Sequence, residues 1–223
     1  MNTIARNNET TTRIRLANPK DAAAIRAIYE PYVLTTAITF DLVPPTVEEL
    51  AEKIAATLAE RPFLVAEEMR MKPVSGAGGS TAECDCRIVG FSYASPFRPR
   101  GAYIHAIETS VYLRQDYKGK GLGRRLYTAL ENILRLQHVY TANACISYVD
   151  PPDEYSPATS RLFHERMGYV QCAHIPNCGR KFDRWYGIIW MQKEISPIPE
   201  MPEAFIPLPS VDETELKTAL ERA

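Results

Sequence analysis

The sequence contains one glycine-rich basic segment with a clear chemical use. Residues 118–124 read KGKGLGR and place three glycines at alternate positions, directly before a long apolar-periodic run. Glycines remove the Cβ atoms that keep a bulky ligand off the main chain, and the first N–H groups of a helix attract anions. The segment predicts a pyrophosphate-binding loop; a tight strand-to-helix turn with surface cations is the alternative. The predicted contacts are Lys118, Gly119, Lys120, Gly121, Leu122, Gly123 and Arg124.

Other phosphate-binding motifs do not match this segment. A nucleotide P-loop needs G-x-x-x-x-G-K-[ST], which the chain lacks. A dinucleotide fingerprint needs G-x-G-x-x-G near the first strand of a β-α-β unit, whereas the spacing here is G-x-G-x-G in mid-chain. A different kind of phosphate-bearing ligand is therefore indicated.

A single carboxylate stands out in the strand-like segment YIHAIETSVYL. Glu108 shares one face with small and apolar residues, because side chains alternate along a strand. It is either an exposed surface residue or a partly buried functional acid, since carboxylates are seldom buried without a partner.

The elements that must position these residues follow from periodicity, caps and turn residues. The predicted strands are Arg13–Leu16, Phe63–Glu68, Arg87–Ser95, Tyr103–Leu113, Ala144–Val149, Tyr169–Ile175 and Trp185–Lys193. One predicted helix follows the Asn18 cap. Three more cover Thr46–Glu60, Gly121–His138 and Ala158–Met167, and a short helix follows a Ser210/Glu213 capping box. This order predicts an α/β (α+β) fold, a mixed sheet with helices on both faces.

Composition narrows the functional class. The 223 residues are 45% hydrophobic and 24% charged with a net charge of −1, which is typical of a globular protein and argues against nucleic acid or anionic membranes as partners. No stretch approaches the roughly 20 apolar residues of a membrane span, and no signal-peptide core is present, so a cytoplasmic location is expected. Cys84 and Cys86 form a C-x-C pair without a second ligand pair nearby, so no metal site is expected.

Several motifs together resemble a known family. The pattern Lys118-x-x-Gly121-x-Gly123 after the strand SVYL is similar to the R/Q-x-x-G-x-G/A signature of the GNAT superfamily of acetyl-CoA-dependent N-acetyltransferases. The segments ITFDLVPPT, RPFLVAE, GFSYASPFRPRGAY, RLFHERMGY and GRKFDRWY resemble its phosphinothricin and methionine sulfone acetyltransferase branch. The resemblance covers residues 13–195, and implies a mostly antiparallel GNAT-like sheet. Residues 1–12 and a proline-rich tail, 196–223, lie outside it.

The resemblance implies roles for particular residues. The strand before the loop would splay from its neighbour and pair with the pantetheine arm of acetyl-CoA, and Ser160 would lie near that arm. Glu108 would take a proton from the substrate amine, and His164 would protonate the departing thiolate. The pantetheine contacts would be Val111, Tyr112 and Leu113, and the substrate pocket would contain Tyr32, Thr36, Phe40, Phe97, Arg98 and Glu108.

The resemblance also implies an activity and a partner. The expected protein is a homodimeric enzyme that acetylates the primary amine of a small amino-acid-like molecule by direct attack on the thioester. Acetylation of a protein N-terminus or lysine, and non-catalytic sensing of acyl-CoA, are the alternatives. One departure bears on the substrate: the segment DEYSPATS has Pro157 where the related pattern has Asn, which leaves one coenzyme contact without an obvious residue.

Overall fold

A computed structural model describes residues 10–73 and 82–222 as a seven-stranded sheet with helices on both faces. The strands are β1 Thr10–Leu16, β2 Phe63–Pro73, β3 Ala82–Pro96, β4 Ala106–Leu113, β5 Thr141–Tyr148, β6 Val170–Lys181 and β7 Arg184–Glu194. The helices are α1 Ala22–Thr35, α2 Val47–Leu58, α3 Leu122–Leu136, α4 Thr159–Arg166 and α5 Glu213–Glu221. The predicted order of elements and the fold class are confirmed.

The sheet has the strand order β1-β2-β3-β4-β5-β7-β6. All neighbouring strands are antiparallel except β4 and β5, which are parallel because α3 connects them. The sheet is therefore mostly antiparallel, as expected, and its one parallel pair lies at the centre.

The helices cover the two faces with separate hydrophobic cores. Ile25 and Ile28 of α1 and Ile54 of α2 pack with Phe63 on one face. On the other face, α3 is the main element, and its buried stripe packs on the inner strands and on the C-terminal segment. Each core covers one face of the sheet. Because side chains alternate along a strand, successive residues of β4 face one core and then the other.

Local capping explains where the first two helices begin. The Asn18 side chain accepts from Lys20 N–H, and Asp21 bonds back to Asn18 N–H, in a short 3₁₀ turn that leads into α1. Thr46 and Glu49 form the predicted capping box at the start of α2.

Several boundaries differ from the sequence-based expectation: β2 continues to Pro73 rather than Glu68, β3 begins at Ala82 rather than Arg87, and β6 continues to Lys181 rather than Ile175. β4 begins at Ala106 rather than Tyr103, because Gly101–Tyr103 forms a 3₁₀ turn. β5 begins three residues early, at Thr141, and α5 is capped by Asp212 rather than Ser210. The Asp212 side chain accepts from two N–H groups of the first turn, whereas Ser210 belongs to a preceding 3₁₀ turn.

The flanks of the Gly/Ser-rich excursion form the predicted hairpin. β2 and β3 pair in register from Phe63↔Tyr93 out to Pro73↔Ala82. Residues 74–81 between them, like residues 1–9 of the predicted N-terminal segment, lie outside the described residues.

Candidate active site

The two central strands part halfway along their length. β4 pairs with β5 only over Ala106–Glu108, opposite Thr141–Asn143, yet β4 continues to Leu113. Beyond Glu108, the β4 main-chain groups on that side have no β5 partner. The structure therefore contains the splay that the family resemblance implied, and an extended ligand with amide groups can pair with the free edge.

Side chains fix the point where the strands part. Buried Asn143 donates from Nδ2 to the Ile107 carbonyl at 3.0 Å and accepts at Oδ1 from Gln192 of β7, also at 3.0 Å. Thr109 Oγ1 donates to the Asn143 carbonyl at 3.2 Å. These bonds hold three strands together at the base of the opening, so its position is set by the fold.

The glycine loop has the geometry of an anion cradle. Gly119 and Gly121 have φ of +76° and +78°, in the left-handed region that favours glycine, and a Cβ built on either meets no other protein atom within 4 Å. Gly121 is the N-cap of α3, and no side chain caps this helix end. The first N–H groups of α3 therefore face the loop without a capping partner. Gly123 serves packing instead, because its Cβ would lie 3.3 Å from the Phe163 ring.

Two lysines flank the cradle. Lys118 Nζ lies 5.0 Å from the centre of the Tyr32 ring, and partial burial lowers the pKa of this amine. Lys120 Nζ lies 4.6 Å from the centre of the Tyr117 ring. Both ammonium groups are held over aromatic faces at the loop, where they can approach a phosphate.

The remaining predicted loop contacts differ in character. Arg124 is exposed at the start of α3, and its guanidinium donates weakly, at 3.5 Å, to the Arg166 carbonyl of α4. Leu122 is buried in the core, so only its main chain can contact a ligand. The unstrained glycine turn, the helix N-terminus and the cations together fit a diphosphate group.

The end of β4 is backed by an aromatic cluster. Tyr112 packs edge-on against Tyr29 and Tyr32 of α1, with ring centres 4.9 and 5.2 Å away. The Tyr32 hydroxyl donates to the Leu113 carbonyl at 2.6 Å. Tyr32 thus supports the strand expected to bind pantetheine. Its predicted place in the substrate pocket stays a prediction. Val111 has the opposite parity and packs on the α3 core.

Glu108 is the last β4 residue paired with β5. Its carboxylate is half-buried, and no hydrogen bond or ion pair engages it among the residues the structure describes. Burial raises the pKa of Glu108, and the nearby cations Arg98 and Lys53 partly oppose that rise. A half-buried carboxylate with raised pKa and free oxygens suits a general base.

Arg98 lies on the turn after β3 and is stacked on aromatic rings. Its guanidinium carbon is 4.5 Å from the Phe97 ring centre and 5.2 Å from that of Trp190, and Nη1 donates to the Phe97 carbonyl at 2.7 Å. Phe97 and Trp190 meet edge-to-face at 5.4 Å. The structure therefore brings Phe97 and Arg98 near Glu108 and places Trp190 beside them.

The predicted 36–40 loop is held in place by other contacts. The Thr36 hydroxyl donates to the Tyr32 carbonyl at 2.7 Å at the end of α1 and accepts from Ile38 N–H at 3.2 Å; its place in the substrate pocket stays a prediction. Phe40 covers Gly179 of β6 so closely that a Cβ there would lie 2.4 Å from the ring, and it packs near Tyr186. The loop thereby docks on the β6–β7 hairpin.

His164 lies in a buried chain of hydrogen bonds on the opposite face of β4 from Glu108. Its Nδ1 lies 2.8 Å from the Ser160 carbonyl, and Nε2 lies 3.0 Å from the Tyr127 hydroxyl. Tyr127 donates to Thr109 Oγ1 at 3.1 Å, and Thr109 donates to the Asn143 carbonyl. This series of hydrogen bonds ends on the Ser160 carbonyl at one end and on the Asn143 carbonyl at the other. It reaches β4 at Thr109, one residue after Glu108.

The surroundings of His164 do not favour the proton-donor role predicted for it. Burial lowers the pKa of His164 to about 4, so the ring is neutral at pH 7. Both ring nitrogens are engaged within this buried chain, Nδ1 beside the Ser160 carbonyl and Nε2 beside the Tyr127 hydroxyl, and Ser160 contributes a main-chain group. The geometry fits a ring that positions Tyr127; the donor role stays a prediction.

Comparison with known proteins agrees with this geometry. Residues 14–190 match the sequence model of the acetyltransferase (GNAT) domain. The chain belongs to the GNAT acetyltransferase family. The C-terminal segment that packs on α3 lies beyond the matched GNAT domain.

Some relatives of the chain are named for small amino-acid-like substrates. The chain is 32% identical to a phosphinothricin N-acetyltransferase from Alcaligenes faecalis, over 82% of both chains. It is 31% identical to an L-methionine sulfoximine/L-methionine sulfone acetyltransferase from Salmonella typhimurium, over 82% of this chain and 94% of that one. A phosphinothricin acetyltransferase from Sinorhizobium meliloti, solved with acetyl-CoA, superposes with a TM-score of 0.67 at 26% identity, covering 82% and 88% of the two chains.

Several residues of this GNAT site were not foreseen from the sequence. Lys53 and Trp190 come from α2 and β7, and Tyr127 and Asn143 complete the networks around the splay. Only Tyr127 had a local signal, since it follows the glycine loop by one helical turn. The others become neighbours of Glu108 and β4 through strand order and helix packing, which short motifs do not reveal.

Two further observations describe the molecule outside the site. No helix within residues 10–73 and 82–222 is long and apolar enough to cross a bilayer. Over the same residues, no cluster of three or more His, Cys, Asp or Glu side chains is arranged to hold a metal ion.

Proposed function

We propose that this protein is an acetyl-CoA-dependent N-acetyltransferase that acetylates the primary amine of a small amino-acid-like substrate carrying an anionic group. The observation that carries the proposal is the position of Glu108. A half-buried carboxylate without a partner in the described part of the chain stands where β4 leaves β5, near the unpaired cation Arg98. The family and the relatives named above support the same reaction class.

Acetyl-CoA is the acyl donor in this proposal, and it supplies the thioester. Gly119–Gly121 and the first N–H groups of α3 bind its diphosphate, with Lys118, Lys120 and Arg124 balancing the charge. The free edge of β4 at Val111–Leu113 pairs with the amides of the pantetheine arm. Ser160 of α4 is proposed to line the same arm.

Glu108 starts the reaction by accepting a proton. An ammonium has no lone pair, so the substrate amine must be deprotonated before it attacks. The amine nitrogen then forms a bond to the acetyl carbon, the carbon–sulfur bond breaks, and the thiolate leaves with the electron pair and takes up a proton. The products are the N-acetyl compound and free coenzyme. No covalent enzyme intermediate and no metal ion are required.

The substrate is held by its anionic group. We propose that Arg98 binds a carboxylate or phosphinate, because paired guanidinium donors match the two oxygens that either group offers, and that Phe97 and Phe40 border the side chain of the substrate. A homodimer in the cytoplasm is part of the proposal. The homodimer follows from the family resemblance, and the cytoplasmic location from the sequence-based expectation.

The test is a free-thiol release assay with acetyl-CoA and a panel of amines. The panel contains amino acids, methionine sulfone, methionine sulfoximine, phosphinothricin and peptides with a free N-terminus or lysine. We expect the highest kcat/KM with amino-acid-like compounds that carry an anionic group. Preference for peptides would favour a protein acetyltransferase, and coenzyme binding without thiol release from any amine would favour a sensor; either result contradicts the proposal.

A further inference from the structure

Arg98 is held by aromatic stacking rather than by an ion pair. Its guanidinium lies 4.5 Å from the Phe97 ring centre and 5.2 Å from the Trp190 ring centre. The only hydrogen bond it makes to another described residue runs from Nη1 to the Phe97 carbonyl, at 2.7 Å. No carboxylate in the described ranges 10–73 and 82–222 forms an ion pair with it. Its Nε and Nη2 donors are therefore available to an anion from outside.

Trp190 comes from a part of the chain remote from the other two. It lies on β7 opposite Cys145 of β5, whereas Phe97 and Arg98 follow β3. Desolvation is the largest cause that raises the pKa of the Cys145 thiol, to about 12; Glu108 adds to the rise and Arg98 opposes it, so both charged groups lie near that thiol. One cluster therefore contains Cys145, Glu108, Arg98 and Trp190. Trp190 lies on its β7 side.

The ring of Trp190 limits how Arg98 can move. An arginine on an exposed turn has many rotamers, and a cation over an indole face is favoured by about 0.5–2 kcal/mol. Trp190 also meets Phe97 edge-to-face, so the two rings form a fixed corner around the guanidinium. The two rings therefore restrict the positions that the Arg98 guanidinium can take.

We propose that Trp190 is a specificity-determining residue that positions Arg98 to bind the anionic group of the substrate. This inference rests on the proposed function and deepens it. The substrate class is an amine whose anionic group reaches Arg98 where Phe97 and Trp190 hold it. Trp190 acts through Arg98, not on the reacting atoms.

The test compares Trp190→Leu with wild type on a matched pair of amines, methionine sulfone and its carboxamide, which lacks the anionic group. We expect the KM of methionine sulfone to rise about 3- to 30-fold, which corresponds to a lost cation–π contact. The KM of the carboxamide and the affinity for acetyl-CoA should change less than about 2-fold. Trp185→Leu, an exposed tryptophan on the same strand, is the control and should leave both values unchanged.

A second arm shows whether Trp190 works through Arg98. In an Arg98→Leu background, Trp190→Leu should have no further effect on the KM of methionine sulfone, because the anchor is already absent. Trp190→Phe should restore most of the wild-type KM, since it keeps a ring face. If Trp190→Leu does not fold, Trp190→Met replaces it with more of the volume kept.

The outcomes separate the two claims. An equal rise in KM for both amines, or additive effects of the two substitutions, would overturn the role of Trp190 while the proposed function stands. Absence of thiol release with every amine of the panel in the wild-type protein would overturn the proposed function, and the inference with it.

Discussion

At the residue scale, the reaction depends on Glu108 being able to accept a proton. Replacing its carboxylate by an amide keeps the shape and removes the base. We expect Glu108→Gln to lower kcat by about 10²- to 10⁴-fold, while the Kd of acetyl-CoA stays within about 2-fold. Steady-state kinetics and calorimetric titration measure the two quantities. The control is Glu52→Gln, at an exposed position of α2, and it should leave both quantities unchanged. A fully active Glu108→Gln would show that another group is the base.

The pH dependence of the reaction gives a second test of Glu108. Burial raises its pKa, and only the deprotonated carboxylate can act as a base. We therefore expect kcat/KM to fall as the pH is lowered through that raised pKa, and this acidic limb should be missing from the residual activity of Glu108→Gln. A limb that persists in the variant would assign the titration to a different residue.

His164 should affect stability more than turnover. Its pKa in the folded protein is about 4, below the ordinary value of 6.5, so on acidification the unfolded chain takes up a proton that the folded chain refuses. Stability should fall between pH 6.5 and about 4, by about 3 kcal/mol in total.

The variant His164→Phe tests this interpretation. It should show a flatter dependence of unfolding free energy on pH over that window, measured by urea denaturation, with kcat lowered less than about tenfold. A loss of 100-fold or more in kcat with an intact fold would instead support the proton-donor role predicted from the family resemblance.

At the element scale, the turn into α3 combines two properties, a left-handed backbone and open space. Gly121→Ala should cost about 1–2 kcal/mol in stability, because φ is +78°, and should weaken acetyl-CoA binding at least tenfold. Gly168→Ala is the matched control: its φ is +88°, so the strain is similar, but it ends α4 outside the loop. Equal losses of affinity in both variants would mean that strain, not ligand contact, explains the effect.

Local signals explain why this part of the site could be predicted. The glycine loop, the strand before it and α3 are contiguous in sequence, so their motifs also describe their arrangement. The contacts of Tyr32 and Thr36 could not be predicted in the same way. Their segment matches a substrate loop, but the direction of each hydroxyl depends on the end of α1 and on Leu113, a residue 81 positions away from Tyr32.

At the scale of the whole molecule, the C-terminal segment closes the α3 face. Gln137 at the end of α3 donates from Nε2 to the carbonyls of Glu60 and Ile206, at 2.7 and 2.8 Å, and Leu208 N–H donates to Glu60 at 2.9 Å. Leu208 and Ala219 join the core of that face. The proline-rich composition predicted irregular structure, but which surface the segment covers follows only from tertiary packing.

This segment should therefore contribute to global stability. Leu208 is buried, and Leu208→Ala should cost about 2–4 kcal/mol, or a fall in Tm of roughly 5–15 °C by calorimetry. Ile198→Ala in the same segment is the control, because Ile198 is 62% exposed and should shift Tm by less than about 2 °C. Similar shifts in both variants would mean that the segment does not pack as described.

Trp190 illustrates what the sequence could not show at this scale. Its place beside Arg98 requires the order β4-β5-β7 and the register that sets Trp190 opposite Cys145. No short motif contains that information. Phe97, Arg98 and Glu108, by contrast, lie in adjoining segments of one hairpin, and the motifs bring them together directly.

The most direct measurement follows the acetyl group itself. Acetyl-CoA labelled in the acetyl group is incubated with the protein and methionine sulfone or phosphinothricin, and the products are analysed by mass spectrometry. The account predicts the label on the α-amine of the small molecule, with one free thiol released per product and almost no transfer by Glu108→Gln. Label on a protein or peptide amine alone, or no transfer to any amine, would contradict it.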